Sequence, residues 1–271
     1  MIASILDYEF MRNAFIATTI VGIVAGAVGY FLVLRGETFA GHALAHVGFP
    51  GATGAVLIGI SPILGLTFFT VIAGVGIGLL GSKAHRDVAI GLVLTLSLGL
   101  GLLFLHFYTA YAGQATNVLF GNVLGIDGDT IAALAGIGAI SLVGLLLIAR
   151  PLLFASLQPE LAEARGLRLG LVSTLFLVIV ALSTVEAMQI VGVLLVFALM
   201  VAPAAISLHL TRRVATGIVL AMVLAVLIAW ISLVLAYVTD WPTSFWITAL
   251  GGLGYFASAS WSHRRRTRQA A

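Results

Sequence analysis

The sequence contains no cysteine, and only 8% of its residues are charged. Without cysteine the chain has neither disulfides nor thiolate ligands, so a bound metal must use histidine, carboxylate, carbonyl or water. A typical soluble domain carries about 25% charged residues, whereas 61% of this chain is hydrophobic and its mean hydropathy is +1.19. The composition excludes an ordinary soluble domain and predicts an all-α, polytopic membrane protein.

Apolar segments account for nearly the whole chain. Because about 20 helical residues cross a bilayer, we predict eight or nine transmembrane helices in a single domain over residues 1–271. The predicted helices cover about 14–34, 40–59, 63–81, 88–107, 131–148, 171–183, 190–209, 214–238 and 245–261. The net charge of +3 comes from basic residues at segment ends, and it does not indicate nucleic-acid binding.

The basic residues predict how the chain is oriented in the cell (inner) membrane. The positive-inside rule assigns the tail 262–271, the turn at Arg212, the segment 150–168 and the turn at Lys83 to the cytoplasm. Nine spans then place the N-terminus outside and the C-terminus inside. Residues 1–12 lack the basic region and cleavage site of a signal peptide, so we expect the first helix to be retained.

Several interruptions are predicted between these helices. Pro151 is expected to end the fifth helix, and the polar residues of 184–189 are expected to form a turn after the sixth. Glu186, in that turn, is expected at the outer mouth or in solvent. The amphipathic connection 108–130 is expected to contain an interfacial or re-entrant helix, and Pro203 is expected to kink the seventh helix.

His42 and His46 stand in an otherwise apolar segment. Residues four apart share one face of a helix, so both imidazoles point the same way. Ionisable side chains in a membrane segment mark substrate or ion pathways by default. Pro50 should bend the helix beyond His46, and glycines such as Gly51 allow another helix to approach closely. The pattern indicates a metal-ion station, and the alternative is hydrogen bonding of both imidazoles to neighbouring helices.

The segment 154–168 is the most charged internal stretch. It predicts a short amphipathic helix over 158–166, with Pro159 near its start and Gly166 near its end. Such a helix could receive a soluble partner, and the alternative is a solvated loop. The only lysine is Lys83, followed by Ala84, so the chain has no phosphate-binding loop. We therefore predict no enzyme activity of its own, and any ATP must be used by another polypeptide.

Three stretches resemble a known family. The first stretch is Phe31–Arg35 followed by Phe39–Gly51, and it is similar to Ser-Phe-x-Gly-Asp-Ala-Leu-Ser-His-x-x-x-Pro-Gly. The second stretch is Gln158–Leu167, which is similar to Asp-Pro-Glu-Leu-Ala-x-x-x-Gly-Leu. Val191–Ala205 resembles Val-Gly-Val-Leu-Leu-Val-x-Ala-Leu-Leu-Ile-x-Pro-Ala-Ala. These motifs belong to the membrane permeases of ATP-binding-cassette (ABC) importers for zinc, manganese and iron. The likeness extends from about residue 10 to residue 261.

The resemblance implies a type II-like ABC importer permease that forms a homodimeric channel in the bilayer. Two copies of a cytoplasmic ATPase would open it, and an extracytoplasmic metal-binding protein would deliver the ion. His42 and His46 would line the path, paired across the dimer. The metal would be transported substrate, with no cofactor permanently bound. The residues implied in coupling to the ATPase are Pro159, Glu160, Leu161, Ala162 and Gly166.

Two positions depart from the family pattern. His42 stands where aspartate is common, and Asn122 does the same in a later loop. Both changes remove a hard anionic oxygen ligand, so the sequence favours Zn²⁺ over Mn²⁺ or Fe²⁺ as the substrate.

Two other classes of protein were weighed against this interpretation. A carrier driven by an ion gradient, working without an ATPase, would favour inverted repeats and several buried carboxylates, and the sequence has no clear repeat. An intramembrane metallohydrolase would need a general base, as in His-Glu-x-x-His, but Ala43, Leu44 and Ala45 separate the two histidines. The permease interpretation is therefore preferred.

Overall fold

The computed structural model describes residues 7–79, 83–107, 120–193 and 195–270, with side chains for all of these except 83–86 and 263–270. The described residues form ten α-helices, one 3-10 turn (Val123–Gly125) and no β-strand. The helices are α1 (Glu9–Leu34), α2 (Thr38–Leu57), α3 (Pro62–Leu79), α4 (Lys83–Phe107), α5 (Gly128–Leu157), α6 (Pro159–Ala164), α7 (Leu169–Val191), α8 (Val196–Leu210), α9 (Val214–Thr239) and α10 (Thr243–Ala270).

Within the described residues, six helices are long and apolar enough to cross a membrane, namely α1, α3, α4 from Asp87, α5, α7 and α9. The multi-pass, all-helical architecture is thereby confirmed. The helix α8 is apolar but has only 15 residues. The total of eight or nine spans depends on whether α2, α8 and α10 also cross, and it stays a prediction.

Helices α1 and α7 form the centre of the bundle. In their most apolar windows 72% and 67% of the residues are buried, against 17–33% in the other four candidate spans. The Gly22-x-x-x-Gly26 spacing of α1 predicts a close-packing face, and α9 lies against it. A Cβ added at Gly26 would lie 2.6 Å from Cα of Met222. Small residues on α1 therefore let the two backbones approach.

The predicted end of the fifth helix at Pro151 is wrong, because α5 continues through this proline to Leu157. A proline inside a helix leaves one carbonyl of the preceding turn without its usual donor. Packing against neighbouring helices offsets that cost in a membrane bundle. Leu152, directly after the proline, is fully buried.

The predicted polar turn at 184–189 is also wrong, because these residues lie inside α7. Thr184 is buried and donates a hydrogen bond to the carbonyl of Val180, four residues earlier, at 2.7 Å. Glu186 is fully buried instead of solvated or at an outer mouth. The chain breaks only at Gly192, whose φ of +79° suits glycine.

The amphipathic connection 108–130 is described from residue 120 onward, and its first part, 108–119, lies outside the described residues. Asn122 precedes the 3-10 turn, and its backbone N–H donates to the carbonyl of Gln189 at the end of α7 (3.3 Å). Asp127 caps α5, since its carboxylate accepts a hydrogen bond from the Thr130 N–H at 2.8 Å. Hydrogen bonding by the side chain of Thr130, and then by its backbone N–H, lowers the pKa of the Asp127 carboxyl.

Candidate metal centre

The two histidines that were predicted to bind the metal ion lie one turn apart on α2 and face each other. The ring centroids of His42 and His46 are 4.7 Å apart, and the rings meet edge to face at 81°. Both side chains are half-buried. The Nδ1 atom of His46 is buried without a hydrogen-bond partner. This nitrogen is therefore not engaged by a neighbouring helix, and an unpaired imidazole nitrogen can bind a metal ion.

A phenyl ring from another helix covers one side of this pair. Phe197, at the start of α8, lies 5.4 Å from His42 between ring centroids, again edge to face at 82°. Sequence reasoning missed this residue because the contact joins helices more than 150 positions apart. The pair is thus bounded by an apolar group on the α8 side.

Glycines hold α2 close to its neighbours beyond the histidines. A Cβ at Gly48 would lie 2.5 Å from Cε of Met188 on α7, and one at Gly51 would collide with the backbone carbonyl of Gly65 on α3. Pro50 lies inside α2, and Pro203 lies inside α8. The close packing expected at Gly51 is present, whereas the bends expected at the two prolines stay predictions.

Among the described residues, the two histidines supply only part of a metal coordination shell. Structural zinc sites are almost always tetrahedral with four ligands. Among the described residues no group of three or more His, Cys, Asp or Glu side chains could hold a metal ion. The two imidazoles therefore need ligands beyond the described acidic and histidine side chains, or water, to complete a site.

A buried ion pair lies directly before α2, the helix that carries the two histidines (the histidine helix), at the junction of α1 and α2. The guanidinium of Arg35 is 3.0 Å from the Glu37 carboxylate, and the two side chains are only 10% and 11% exposed. Arg35 also donates to the hydroxyls of Ser156 on α5 (3.1 Å) and Ser173 on α7 (2.7 Å). Its guanidinium lies 5.5 Å from the ring centroid of Phe176.

These contacts connect the histidine helix to the segment that carries α6. Ser156 lies near the end of α5 and Ser173 near the start of α7, and α6 lies between those two helices in the chain. Sequence reasoning did not predict these contacts of Arg35. A signal was available, since Arg35 and Glu37 are isolated charges between two apolar segments.

The short helix predicted in the charged segment is confirmed as α6. It begins at Pro159 and ends at Ala164, and Gly166 follows with a φ of +81°. Ala162 is fully buried, whereas Leu161 is 45% exposed and Glu160 is exposed. The helix is thus anchored by one small side chain and presents its other side chains outward.

These features together define a multi-pass helical membrane protein of the cell membrane, with a half-buried imidazole pair and a short helix between two long ones. The sequence pattern of the ABC 3 transport family matches residues 7–261. The chain therefore belongs to the ABC 3 transport family.

The alignments with similar proteins extend over most of the chain. The manganese transport system membrane protein MntC of Halalkalibacterium halodurans is 33% identical, covering 83% of this chain and 78% of its own. The manganese import system permease protein ScaB of Streptococcus parasanguinis is 34% identical over 76% and 75%. A probable iron transport system membrane protein of Haemophilus influenzae is 30% identical over 96% of both.

The fold is also similar to a solved structure, PsaBC from Streptococcus pneumoniae in complex with Fab. The TM-score is 0.85 at 28% sequence identity, and the match covers 95% of each chain.

Proposed function

We propose that this chain is the permease subunit of an ATP-driven importer of divalent transition-metal ions. The observation that carries the proposal is the pair His42 and His46, facing each other inside a membrane bundle of the ABC 3 family. Similar proteins are named as manganese or iron transport proteins. A separate ATPase would supply the energy, and an extracytoplasmic metal-binding protein would deliver the ion.

The donor chemistry of the pair supports Zn²⁺ as the preferred ion. Imidazole nitrogens suit zinc, whereas manganese favours carboxylate, carbonyl and water oxygens. The names of the similar proteins support manganese or iron instead. Comparing the uptake of Zn²⁺, Mn²⁺ and Fe²⁺ in one assay decides which ion is preferred.

Two copies of the chain would complete the coordination shell. A two-fold axis beside α2 would bring two pairs of imidazoles together, and four nitrogens match the tetrahedral preference of zinc. A transport station must also release its ion, so water or a ligand of the delivery protein could replace one imidazole during transfer.

The helix α6 would be the docking element for the ATPase. Its exposed Leu161 and Glu160 support a contact with a soluble partner, and the buried Ala162 would fix the helix on the bundle. Arg35 would then carry a displacement of α6 toward α2, because it binds Ser156 and Ser173 on the two helices that flank α6.

The test is metal uptake into vesicles that contain this chain with its ATPase and delivery protein. Zn²⁺, Mn²⁺ and Fe²⁺ uptake would be measured for wild type, His42→Ala and His46→Ala. We expect both variants to lose uptake with assembly intact, and zinc to be the preferred ion. His106→Ala is the control, because His106 is exposed at the end of α4.

Two results would contradict the proposal. Unchanged uptake in both histidine variants would make the pair structural. Uptake without any ATPase would instead favour the gradient-driven carrier, for which the described residues offer a single fully buried carboxyl group, that of Glu186.

A further inference from the structure

Glu186 is a buried acidic residue for which the permease function provides no role. It lies in α7 and is 0% exposed, and it is the only acidic or basic side chain in the fully buried set of described residues. Neither of its carboxyl oxygens has a hydrogen-bond partner. A buried polar group without a partner is rare in proteins and calls for a physical explanation.

The carboxyl group lies in the contact between α5 and α7. A Cβ added at Gly138 on α5 would lie 2.7 Å from Oε1 of Glu186 and 3.1 Å from Cγ2 of Val24 on α1. The space that a larger residue at position 138 would fill is therefore used by the glutamate.

Two further hydroxyl groups share this contact. Besides the pairing of Gly138 with Glu186, Gly144 of α5 lies against Ile179 of α7, so the two helices run antiparallel. That register places Ser141, midway along the α5 face, level with Ser183, one turn before Glu186. Both serines are 0% exposed, and neither hydroxyl oxygen has a hydrogen-bond partner.

Among the described residues, no positive group pairs with a charge at this position. The elements packed on Glu186 present Val24 from α1, and Gly138 and Ser141 from α5. Within the described residues no lysine, arginine or histidine forms a salt bridge with Glu186, and Arg35 is bound to Glu37. An isolated carboxylate in an apolar interior is strongly disfavoured.

The surroundings also do not form a metal site. Among the described side chains no three acidic or histidine residues come together, and a metal ion would need room for several ligands. A proton is the one cation that a carboxylate can bind without a cavity. The bound proton adds a hydrogen-bond donor, which a carboxylate lacks.

We propose that Glu186 is a proton-binding site, and that its neutral carboxylic acid joins α5 to α7 through the hydroxyls of Ser141 and Ser183. The acid has one donor and one acceptor, and each serine hydroxyl has both. In the structure none of these atoms is hydrogen-bonded, so the three groups would satisfy one another by turning their side chains together around the protonated acid. This inference stands independently of the transported ion and of the histidine pair.

Infrared spectroscopy of the purified full-length chain in lipid nanodiscs tests the protonation directly. The protein would be labelled with ¹³C at the glutamate carboxyl, so that bands of its five glutamates shift and those of aspartate do not. At neutral pH we expect a C=O band of a protonated glutamic acid. The band should be lost in Glu186→Gln and kept in Glu163→Gln, since Glu163 is exposed on α6.

The labelled wild type gives a decisive result even if a variant fails to fold. Absence of the acid band in wild type, or its persistence in folded Glu186→Gln, overturns the proposal. Loss of the band on addition of MnCl₂ or ZnCl₂ would show that the metal ion displaces the proton, and it would overturn the independence of this site from the transported ion. In Ser141→Ala/Ser183→Ala we expect the band to move to higher frequency, and an unmoved band overturns the proposed hydrogen bonds.

Discussion

The guanidinium of Arg35 lies 3.0 Å from the carboxylate of Glu37, and this ion pair is nearly enclosed at the junction of α1 and α2. Arg35 also holds one hydroxyl on each of the helices that flank α6. One side chain therefore connects the start of the histidine helix to both ends of the segment around α6.

We expect Arg35→Gln to destabilise the protein strongly. The change removes the guanidinium that pairs with the Glu37 carboxylate, and breaking a buried ion pair by removing one partner costs about 3–5 kcal/mol. The thermal unfolding midpoint of the purified chain in detergent should fall by several degrees or more. Arg165→Gln is the control, since Arg165 is exposed and lies over the ring of Phe154. Equal midpoints for the two variants would contradict this role.

Removing only the two hydroxyls should separate ATP hydrolysis from transport. In Ser156→Ala/Ser173→Ala the ion pair with Glu37 and the contact with Phe176 remain, but Arg35 loses its hydrogen bonds to the helices on either side of α6. If α6 receives the ATPase, hydrolysis should continue while metal uptake per ATP falls severalfold. The measurement is uptake and phosphate release in the same vesicles. An unchanged ratio of metal uptake to phosphate release in the double variant would show that a displacement of α6 reaches α2 by another route.

Docking at α6 can be distinguished from a structural role by comparing two neighbouring residues. Leu161 is 45% exposed, so Leu161→Asp should weaken co-purification of the ATPase with little effect on the unfolding midpoint of the chain. Ala162 is fully buried, so Ala162→Leu should destabilise the chain by about 1–3 kcal/mol through overpacking and so lower that midpoint. Normal ATPase binding by a folded Leu161→Asp variant would contradict the proposed docking surface.

Helices that are continuously apolar were predictable to within a few residues. The span expected at 214–238 is α9, Val214–Thr239, because uninterrupted hydrophobicity has no soluble alternative. The pairing of His42 with His46 was equally predictable, since it depends only on the helical repeat. Such local features need no knowledge of the neighbouring helices.

The errors occurred where neighbouring helices decide the structure. Pro151 and the polar residues around Glu186 have the composition of a turn, but α5 and α7 pass through them because other helices bury those positions. Arg35, with Ser156 and Ser173 more than 100 positions away, depends on contacts that no local pattern contains. Non-local packing therefore determined both the missed ion pair and the misplaced Glu186.

The space occupied by Glu186 can be tested by adding one methyl group on α5. In Gly138→Ala the new Cβ would lie 2.7 Å from Oε1 of Glu186 and would displace the carboxyl group, so we expect a loss of about 1–3 kcal/mol from overpacking. Gly136→Ala on the same helix meets nothing within 4 Å and should leave stability unchanged or slightly higher. Thermal unfolding of both variants in the same detergent makes the comparison. Glu186→Gln can be measured beside them. An unfolding midpoint near that of wild type for Glu186→Gln, with a clearly lower midpoint for Gly138→Ala, would show that the contact between α5 and α7 depends on a neutral, correctly placed side chain. Equal stability of the two alanine variants would show that Glu186 does not occupy the space beside Gly138.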